Sequence, residues 1–366
     1  MSKAAELANL IGNINAGGGG VNRNVIVNGA MNVAQRGTSS TGLGASSGYF
    51  TVDRHILDFS NTAGRLTMSQ DSSAPSGFAN SLKLACTTAD TSIASDEQLR
   101  INTRIEGQNL QSFAKGTSDA KPFAVSFYVK GNASATYVCE LYDNDNTRQV
   151  SKTFNVTTDW TRIELSFPAD TSGAFDDDNA LSFLLQIWLH AGSNFTSGTL
   201  NTTWGSVTNA NRAVGISSFF DSTDRTFFIT GVQLEVGQHP TEFEHQKFSQ
   251  TLEQCQRYFQ RTNSNFQFAG RGTGTTTGVG TVSLTVPLRA SPTTLDDDST
   301  VFRAFNHAMV DIGDGTIPTV SSYNQFDNTL QLNMVGFDNL TDDRVINFQL
   351  SGSLNATTGL TMDSEL

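Results

Sequence analysis

The sequence is poor in charge, lysine and cysteine. Only 16% of its 366 residues are charged, against about 25% in an average protein. Lysine occurs seven times and never after Lys247, and the net charge is −12. No basic stripe exists, so we expect no nucleic acid partner. The three cysteines, Cys86, Cys139 and Cys255, fit no disulfide or zinc spacing, which predicts buried free thiols and folding in a reducing cytoplasm.

Long apolar runs are also missing from this chain. No stretch of about 18 apolar residues occurs, so we expect no membrane insertion. The first residues lack the apolar segment and the cleavage site of a signal peptide. The sequence therefore predicts a protein that is neither secreted through a signal peptide nor inserted in a bilayer.

Short alternating or β-branched runs, separated by Gly, Asn, Asp and Ser, fill residues 22–239. In the run FAVSFYVK, the apolar side chains of Phe123, Val125, Phe127 and Val129 fall on one face, as in a strand with one buried side. Many short strands at such spacing are typical of an antiparallel β-sandwich. The strands expected are 25–27, 65–70, 81–85, 98–101, 123–130, 136–142, 151–156, 161–167, 181–189 and 226–234.

Helical patterns occur at two places. Leu7, Leu10, Ile11 and Ile14 fall at helical spacing within residues 1–21, ahead of a four-glycine joint. This helix is too short to be stable alone, so its apolar face needs its own copies, a socket on another protein, or the domain itself.

Residues 240–261 form the second helical pattern, which we interpret as a connecting helix. Thr241 and Glu244 match a capping box. The apolar stripe then consists of Phe248, Leu252, Cys255 and Phe259.

The remaining segment, residues 262–366, is predicted to be a small C-terminal β domain. Its Gly/Thr-rich stretch 270–281 is interpreted as a loop or an edge segment. The strands expected in this domain are 282–287, 301–305, 308–312, 329–334 and 345–350.

Motifs for chemistry fail on spacing or context. Residues 44–48 spell G-x-S-x-G but lie in a Ser/Gly loop. His239 and His245 are not spaced as HExxH. Residues 143–146 (DNDN) lack the rest of a calcium loop, and an Asn/Asp turn is favoured, although calcium binding by Asp143 and Asp145 stays open. We expect no catalytic residue, no metal and no cofactor.

Three stretches together carry a resemblance: residues 24–39 (NVIVNGAMNVAQRGTS), residues 228–237 (FITGVQLEVG), and residues 286–292 (VPLRASP) with the ending DSEL. They resemble a family of bacteriophage tail-fibre and receptor-binding proteins of the marine podophage type. The resemblance implies a carbohydrate-binding-module-like jelly roll, one short helix and a small C-terminal β domain. It also implies that Gln35, Arg36, Asp53 and Arg54 form a turn and a buried polar network; His55 stands where the family often has Trp.

The function expected from this resemblance is attachment of a virion to a host cell. The protein would be a tail fibre, made in the host cytoplasm. It would be a homo-oligomer, expected to be trimeric, held to other virion proteins by its N-terminal segment. Its ligand would be a surface polysaccharide or lipopolysaccharide. The alternatives are a head fibre or capsid decoration protein, a polysaccharide-degrading tailspike, and a cellular carbohydrate-binding protein.

Two aromatic residues in polar stretches are the candidate ligand contacts. Sugar recognition uses aromatic faces that cover C–H patches, with polar groups beside them. Trp204 (TLNTTWGSV) and Tyr323 (SSYNQF) fit this description; the competing interpretation is a ring folded under its own loop. Trp160 and Trp188 are expected in the core.

Overall fold

The protein is described here by a computed structural model. It describes residues 2–15, 22–262, 267–292, 294–296, 301–305, 311–313, 319–326, 328–337, 340, 345–351 and 360–366. The chain divides into two compact units: Met1–Leu252 with Leu366, and Glu253–Glu365. No helix among the described residues is long and apolar enough to cross a membrane.

The first unit contains a short helix followed by twelve described strands. Helix α1 is Lys3–Asn15. The strands and one short helix that follow are β1 (Ser39–Leu43), β2 (Ile56–Ser60), β3 (Arg65–Asp71), β4 (Ser81–Thr88), β5 (Gln98–Glu106), β6 (Phe123–Gly131), β7 (Ala135–Asp143), β8 (Arg148–Val156), β9 (Thr161–Phe167), β10 (Leu181–Ala191), α2 (Ser193–Thr196), β11 (Gly205–Ser206) and β12 (Thr226–Val236).

These strands form two six-stranded antiparallel sheets. Sheet A has the order β1-β3-β4-β12-β6-β9, and sheet B has the order β11-β8-β7-β10-β5-β2. The two sheets pack face to face as a jelly-roll β-sandwich, so the predicted mainly-β fold is confirmed.

The core lies between the sheets and follows the alternation of the strands. Phe123, Val125, Phe127 and Val129 of β6 are all fully buried, which confirms the face predicted for them. Burying each such side chain is worth roughly 1.5–3 kcal/mol. Phe123 stacks on Phe113 with ring centroids 4.4 Å apart. Cys86, Cys139 and Cys255 are free and buried, also as predicted.

Every predicted strand from 65–70 to 226–234 lies within an observed strand. The predicted strand 25–27 is wrong, because this segment is irregular. The backbone of Val25 donates one hydrogen bond to Leu234, and the side chain of Asn24 accepts bonds from Ile26 and from Leu234. A side chain therefore replaces part of the ladder that a strand would make.

The second helix is much shorter than predicted. Helix α3 covers only Phe248–Gln256, and the expected capping box does not form. Thr241 donates its hydroxyl to Glu235 at 2.8 Å, and the Glu244 carboxylate accepts the backbone N–H groups of Asn22 and Asn24 at 2.7 and 2.9 Å. Both capping side chains are therefore committed to distant partners, and the helix begins later.

The second unit is a separate β structure. Its strands are β13 (Phe259–Arg261), β14 (Gln267–Gly272), β15 (Thr277–Ser283), β16 (Thr294–Asp296), β17 (Val301–Phe305), β18 (Asp311–Gly313), β19 (Thr319–Phe326), β20 (Thr329–Val335), β21 (Val345–Ser351) and β22 (Thr361–Asp363). They form a seven-stranded sheet, β18-β17-β21-β14-β15-β20-β19, and a three-stranded sheet, β13-β22-β16. Part of the predicted strand 308–312 lies outside the described residues.

The Gly/Thr-rich stretch 270–281 is a hairpin of β14 and β15, with residues 273–276 between its strands. Its glycines allow aromatic rings to lie directly on the backbone. A Cβ on Gly280 would lie 2.4 Å from the Phe268 ring, and one on Gly270 would lie 2.4 Å from the Phe348 ring. The glycines therefore mark ring contacts inside a sheet, and strand 282–287 is wrong beyond Ser283.

The residues singled out by the family resemblance form polar contacts in which Asp53 and Arg54 are buried and Gln35 and Arg36 are half-buried. The Asp53 carboxylate accepts hydrogen bonds from the backbone and side-chain nitrogens of Gln35 at 2.9 and 2.5 Å. Arg54 has a positive φ of 71° and donates to the backbone of Arg104 at 2.7 Å. Arg36 lies over the Tyr49 ring at 5.2 Å. This network holds the entry of the chain into sheet B.

Candidate functional site

Trp204, the first predicted ligand contact, is anchored to the core. Its ring centroid lies 5.5 Å from that of Phe123 and 6.3 Å from that of Phe183. Its indole nitrogen donates to the carbonyl oxygen of Pro168 at 2.8 Å. The side chain is half-buried, which is the arrangement of a ring folded under its own loop.

Tyr323, the second predicted contact, lies in a strand rather than in a loop. It belongs to β19 and pairs with Leu332 of β20, and its side chain lies outside the described residues.

In the predicted anchor, Leu7 and Ile11 are 57% and 50% exposed on α1. The side chains of Leu10 and Ile14 lie outside the described residues.

The outer face of sheet A carries an aromatic pair that the sequence analysis placed in the core. Trp160, just before β9, is half-buried rather than enclosed. Its ring meets that of Phe228 on β12 edge to face, with centroids 6.1 Å apart. The expectation that Trp160 is a core residue is therefore wrong, whereas Trp188 is fully buried.

Two lysines flank this aromatic pair. Phe228 pairs with Lys83 of β4 on one side and with Lys130 of β6 on the other. The amines of Lys83 and Lys130 lie 5.3 and 4.8 Å from the Phe228 ring centroid, and that of Lys130 lies 5.4 Å from the Trp160 centroid. Both lysines are only half-buried. Lys83 is ion-paired with Asp71 at 3.2 Å, whereas Lys130 donates to the Ser73 hydroxyl at 2.9 Å. This end of the face therefore combines ring surfaces with the positive charge of Lys130, in a chain with a net charge of −12.

The aromatic surface continues along the same sheet face. Tyr128 lies two residues before Lys130 on β6, about 7 Å away along the strand. Its ring packs on Phe78 at 5.3 Å, and Phe78 lies 5.0 Å from both Phe243 and His245. We call the whole set the aromatic strip: Trp160, Phe228, Tyr128, Phe78, Phe243 and His245.

A cleft lies at the far end of the aromatic strip. It is shallow and open to solvent, with a volume of about 20 Å³, and Phe243 and His245 form part of its wall. Gln246 and Asn32 also line it. Asn32 accepts a hydrogen bond from Asn80 at 3.1 Å, and the described residues provide no partner for Gln246. The cleft thus offers a ring, an imidazole and amide groups to a polar ligand.

The outer face of sheet B differs because residues 192–217 cover part of it. Phe195, Leu200, Ala213 and Ile216 of this segment pack against Trp188 and Val138. Because Trp188 is fully enclosed, it has no ring surface to offer a ligand.

A buried polar layer holds this cover in place. The Glu140 carboxylate accepts two hydrogen bonds from Arg212, both at 2.9 Å, and one from the Trp188 indole at 2.7 Å. Arg212 also donates to Gln186 at 2.9 Å. Arg100 lies over the Trp188 ring at 4.7 Å. Burial lowers the pKa of Arg100, and the charge of nearby Asp58 offsets part of that change.

A lysine ammonium occupies the place where calcium was considered. The amine of Lys115 is fully buried and lies 2.5 Å from Asp143 and 3.1 Å from Asp170. It also donates to the carbonyl oxygens of Ser172 and Gly173 at 2.9 and 2.7 Å. Burial raises the pKa of Asp143, and Lys115 offsets part of this rise. The Asp143 carboxylate therefore already has a cation, and the four-residue turn 144–147 follows it.

Comparisons with known proteins give likenesses of fold only. No family model matches the chain and no curated protein matches it. Among solved structures, the carbohydrate-binding module CBM4 matches at 11% identity and a TM-score of 0.30, over 58% of this chain and 99% of that one. A family 11 carbohydrate-binding module from Clostridium thermocellum matches at 12% identity and a TM-score of 0.27, over 57% and 98%.

A bacteriophage protein is also among these structures. The enzymatically active domain of tailspike protein 4 from bacteriophage CBA120 matches at 10% identity and a TM-score of 0.29, over 58% of this chain and 21% of that one. At such TM-scores these likenesses carry no argument about function. The site is therefore argued from its own side chains.

The sequence did contain a signal for Trp160. The side chains of Ile163, Leu165 and Phe167 on β9 face the core, so the even-numbered residues of this strand face outward. Trp160 shares that parity with Arg162 and Glu164. Extending the alternation one step before the strand would have placed the ring on the outer face.

Proposed function

We propose that the chain is a bacteriophage tail-fibre protein whose β-sandwich binds glycans on the host surface through the aromatic strip. The observation that carries this proposal is the half-buried Trp160 ring on Phe228, with lysine amines at 4.8 to 5.4 Å from these rings. The phage assignment rests on the family resemblance of the three sequence stretches.

The geometry suits a sugar chain for physical reasons. Aromatic rings cover the C–H faces of sugar rings, while neighbouring polar groups bond the hydroxyls. Successive rings along one sheet face match the repeating units of a polysaccharide. Lys83 is paired with Asp71 at 3.2 Å, so Lys130 supplies the positive charge beside the rings, and a glycan with carboxylate or phosphate substituents is the complementary ligand.

The proposal is tested by measuring the affinity of the Trp160→Ala variant for host polysaccharide or lipopolysaccharide. We expect roughly a two- to tenfold weaker affinity, the worth of one aromatic contact. Phe248→Ala is the matched control, because Phe248 is 58% exposed and lies off the strip. Equal binding by the native protein and the Trp160 variant would contradict the proposed site.

The N-terminal helix is proposed to join three copies and to anchor them to other virion proteins. Leu7 and Ile11 lie one turn apart on α1 and are both exposed, and 13 residues are too few for a stable isolated helix. Deleting residues 1–16 should give folded protein that no longer assembles onto particles. A monomeric mass for the full chain at micromolar concentration would contradict the trimer.

We further propose that the protein binds glycans without cleaving them, since the sequence contains no nucleophile or acid–base motif with the required spacing and context. Several identical sites on an oligomer would convert weak contacts into firm adsorption. Shortened polysaccharide chains after incubation with pure protein would overturn this and favour a degrading tailspike. Labelling the protein on virions separates a tail position from a head fibre or capsid decoration.

A further inference from the structure

Three buried titratable side chains meet at one end of the sandwich, apart from the aromatic strip. Asp90 follows β4, Glu97 precedes β5, and His190 lies near the end of β10. All three are buried. One ligand-type atom from each lies within 4.8 Å of the other two.

Each carboxylate is held by donors on one of its oxygens. Oδ2 of Asp90 accepts the Thr62 hydroxyl at 3.0 Å and the Ala63 backbone N–H at 2.8 Å. Oε1 of Glu97 accepts the Ala94 backbone N–H at 3.0 Å. These donors fix the carboxyl groups, which also share a hydrogen bond with each other, and the second oxygen of Glu97 faces His190.

His190 is oriented in the same way. Its Nδ1 lies 2.8 Å from the Ser218 hydroxyl, and its Nε2 lies 3.0 Å from Oε2 of Glu97. The Ser218 hydroxyl also accepts the backbone N–H of Phe220 at 3.1 Å. In metal centres, a polar partner on one ring nitrogen orients the other nitrogen toward the metal.

The charge of this cluster calls for a cation. Two carboxylates enclosed at close range repel one another and need compensation. Among the described residues, neither Asp90 nor Glu97 pairs with a lysine or an arginine; Glu97 contacts the His190 imidazole and shares a side-chain hydrogen bond with Asp90. A neutral imidazole gives no compensation, and a protonated one gives a single positive charge.

We propose that Asp90, Glu97 and His190 form a site for a divalent transition metal of the zinc class. One imidazole nitrogen with two carboxylate oxygens is a ligand set that zinc accepts, whereas magnesium and calcium prefer oxygen alone. Zinc bonds of about 2.0–2.2 Å place tetrahedral ligands about 3.3 Å apart. The His190–Glu97 pair at 3.0 Å is already near this spacing, so small side-chain shifts complete the site.

Metal content after refolding tests the proposal. Because the cluster is buried, the protein should take up metal as it folds. The full chain is unfolded in guanidinium with a chelator, refolded with or without Zn²⁺, desalted, and measured by elemental mass spectrometry. We expect about one zinc per chain in the native protein and a higher melting temperature with zinc.

Variants identify the ligands. Glu97→Gln and His190→Gln should lose the bound zinc, and His239→Gln, a change at an exposed histidine, should keep it. Co²⁺ should bind the native protein with visible absorption bands. A native protein that refolds without retaining zinc or cobalt overturns the proposal, even where a variant fails to fold. Retention of the full amount by both ligand variants overturns it as well.

Discussion

The outer faces of the two sheets are built from the same antiparallel backbone, but one is largely open to solvent and the other is partly covered by protein. On sheet A, half-buried rings and lysines lie along the surface, from Trp160 to the cleft beside His245. On sheet B, Trp188 is enclosed under residues 192–217. The alternation of strand residues decides which side chains point outward, and a long connection decides whether they meet solvent or protein.

The difference also appears in how charge is handled. Glu140 and Arg212 are buried together on sheet B, where each needs the other because an unpaired buried charge is costly. Arg162 and Glu164 pair on the outer face of sheet A with the Glu164 side chain 35% exposed, where water screens them. The pair on sheet B is thus enclosed, whereas the pair on sheet A lies at the surface.

The largest expected loss of stability comes from a substitution on the covered face of sheet B. Glu140→Ala leaves Arg212 and the Trp188 indole without their acceptor and should lower the free energy of unfolding by about 3–5 kcal/mol. The matched change Glu164→Ala, on sheet A, should cost about 0–1 kcal/mol. Guanidinium unfolding of both variants measures the contrast, and equal losses would show that burial of the pair has no such consequence.

A pH series extends the comparison to a buried histidine. Burial lowers the pKa of His55 from 6.5 to about 4, opposed by the Asn28 carbonyl and aided by Arg54. Between these pH values His55 therefore binds a proton in the unfolded chain but not in the folded chain. Stability is complete above pH 6.5 and falls toward pH 4, by about 3 kcal/mol from this group.

The contribution of His55 to the pH dependence of the unfolding free energy is measured by substitution. Its replacement, His55→Gln, should flatten the fall in unfolding free energy between pH 6.5 and pH 4. Urea unfolding across this pH range provides the measurement. An unchanged slope in the His55 variant would mean that other groups cause the pH dependence.

Trp204→Ala should have an intermediate effect on stability. The substitution removes a half-buried ring from beside Phe123 and Phe183 and should cost about 2 kcal/mol, less than a fully buried tryptophan. Thermal unfolding checks this. A loss of glycan binding without any loss of stability would instead restore Trp204 as a ligand contact.

The smallest effect on stability is expected for Trp160→Ala. Its ring meets Phe228 edge to face and lies 5.4 Å from the Lys130 amine, and it is only half-buried, so the loss should stay below about 1 kcal/mol. The same thermal measurement applies. A loss larger than that of the Trp204 variant would reverse the contrast between an open strip and an anchored loop ring.

The sequence predicted those parts of the fold in which local pattern and burial agree. The alternation in β6 identified a buried face, and all nine strands predicted from 65–70 to 226–234 are present. It failed where side chains act over long distances. Thr241 and Glu244 satisfied a local capping rule, but their partners, Glu235 and the Asn22 and Asn24 amides, come from other elements.

The candidate site was harder to predict, because composition says little about which rings are enclosed. Trp204 and Trp160 both lie next to polar residues. The alternation of β9 places Trp160 on the outer face, but only the three-dimensional contacts show that Trp204 packs on Phe123 and Phe183. The glycines of residues 270–281 led to the same kind of error. Gly270 and Gly280 are typical of a loop in the sequence, but in the structure the rings of Phe348 and Phe268 pack on them within a sheet. The metal-type cluster joins two acidic residues of the connection between β4 and β5 with His190 of β10, which no local motif links.

Lys115 gives one end of the sandwich a cation that cannot dissociate. Its amine lies among two carboxylates and two carbonyl oxygens, but a covalent side chain carries it, so its local concentration never depends on the surrounding solution. A chelator cannot extract it, and a drop in external calcium does not loosen the strand end at Asp143. At Asp143 and Asp170 the sandwich therefore carries its own counter-charge and does not draw it from the solution.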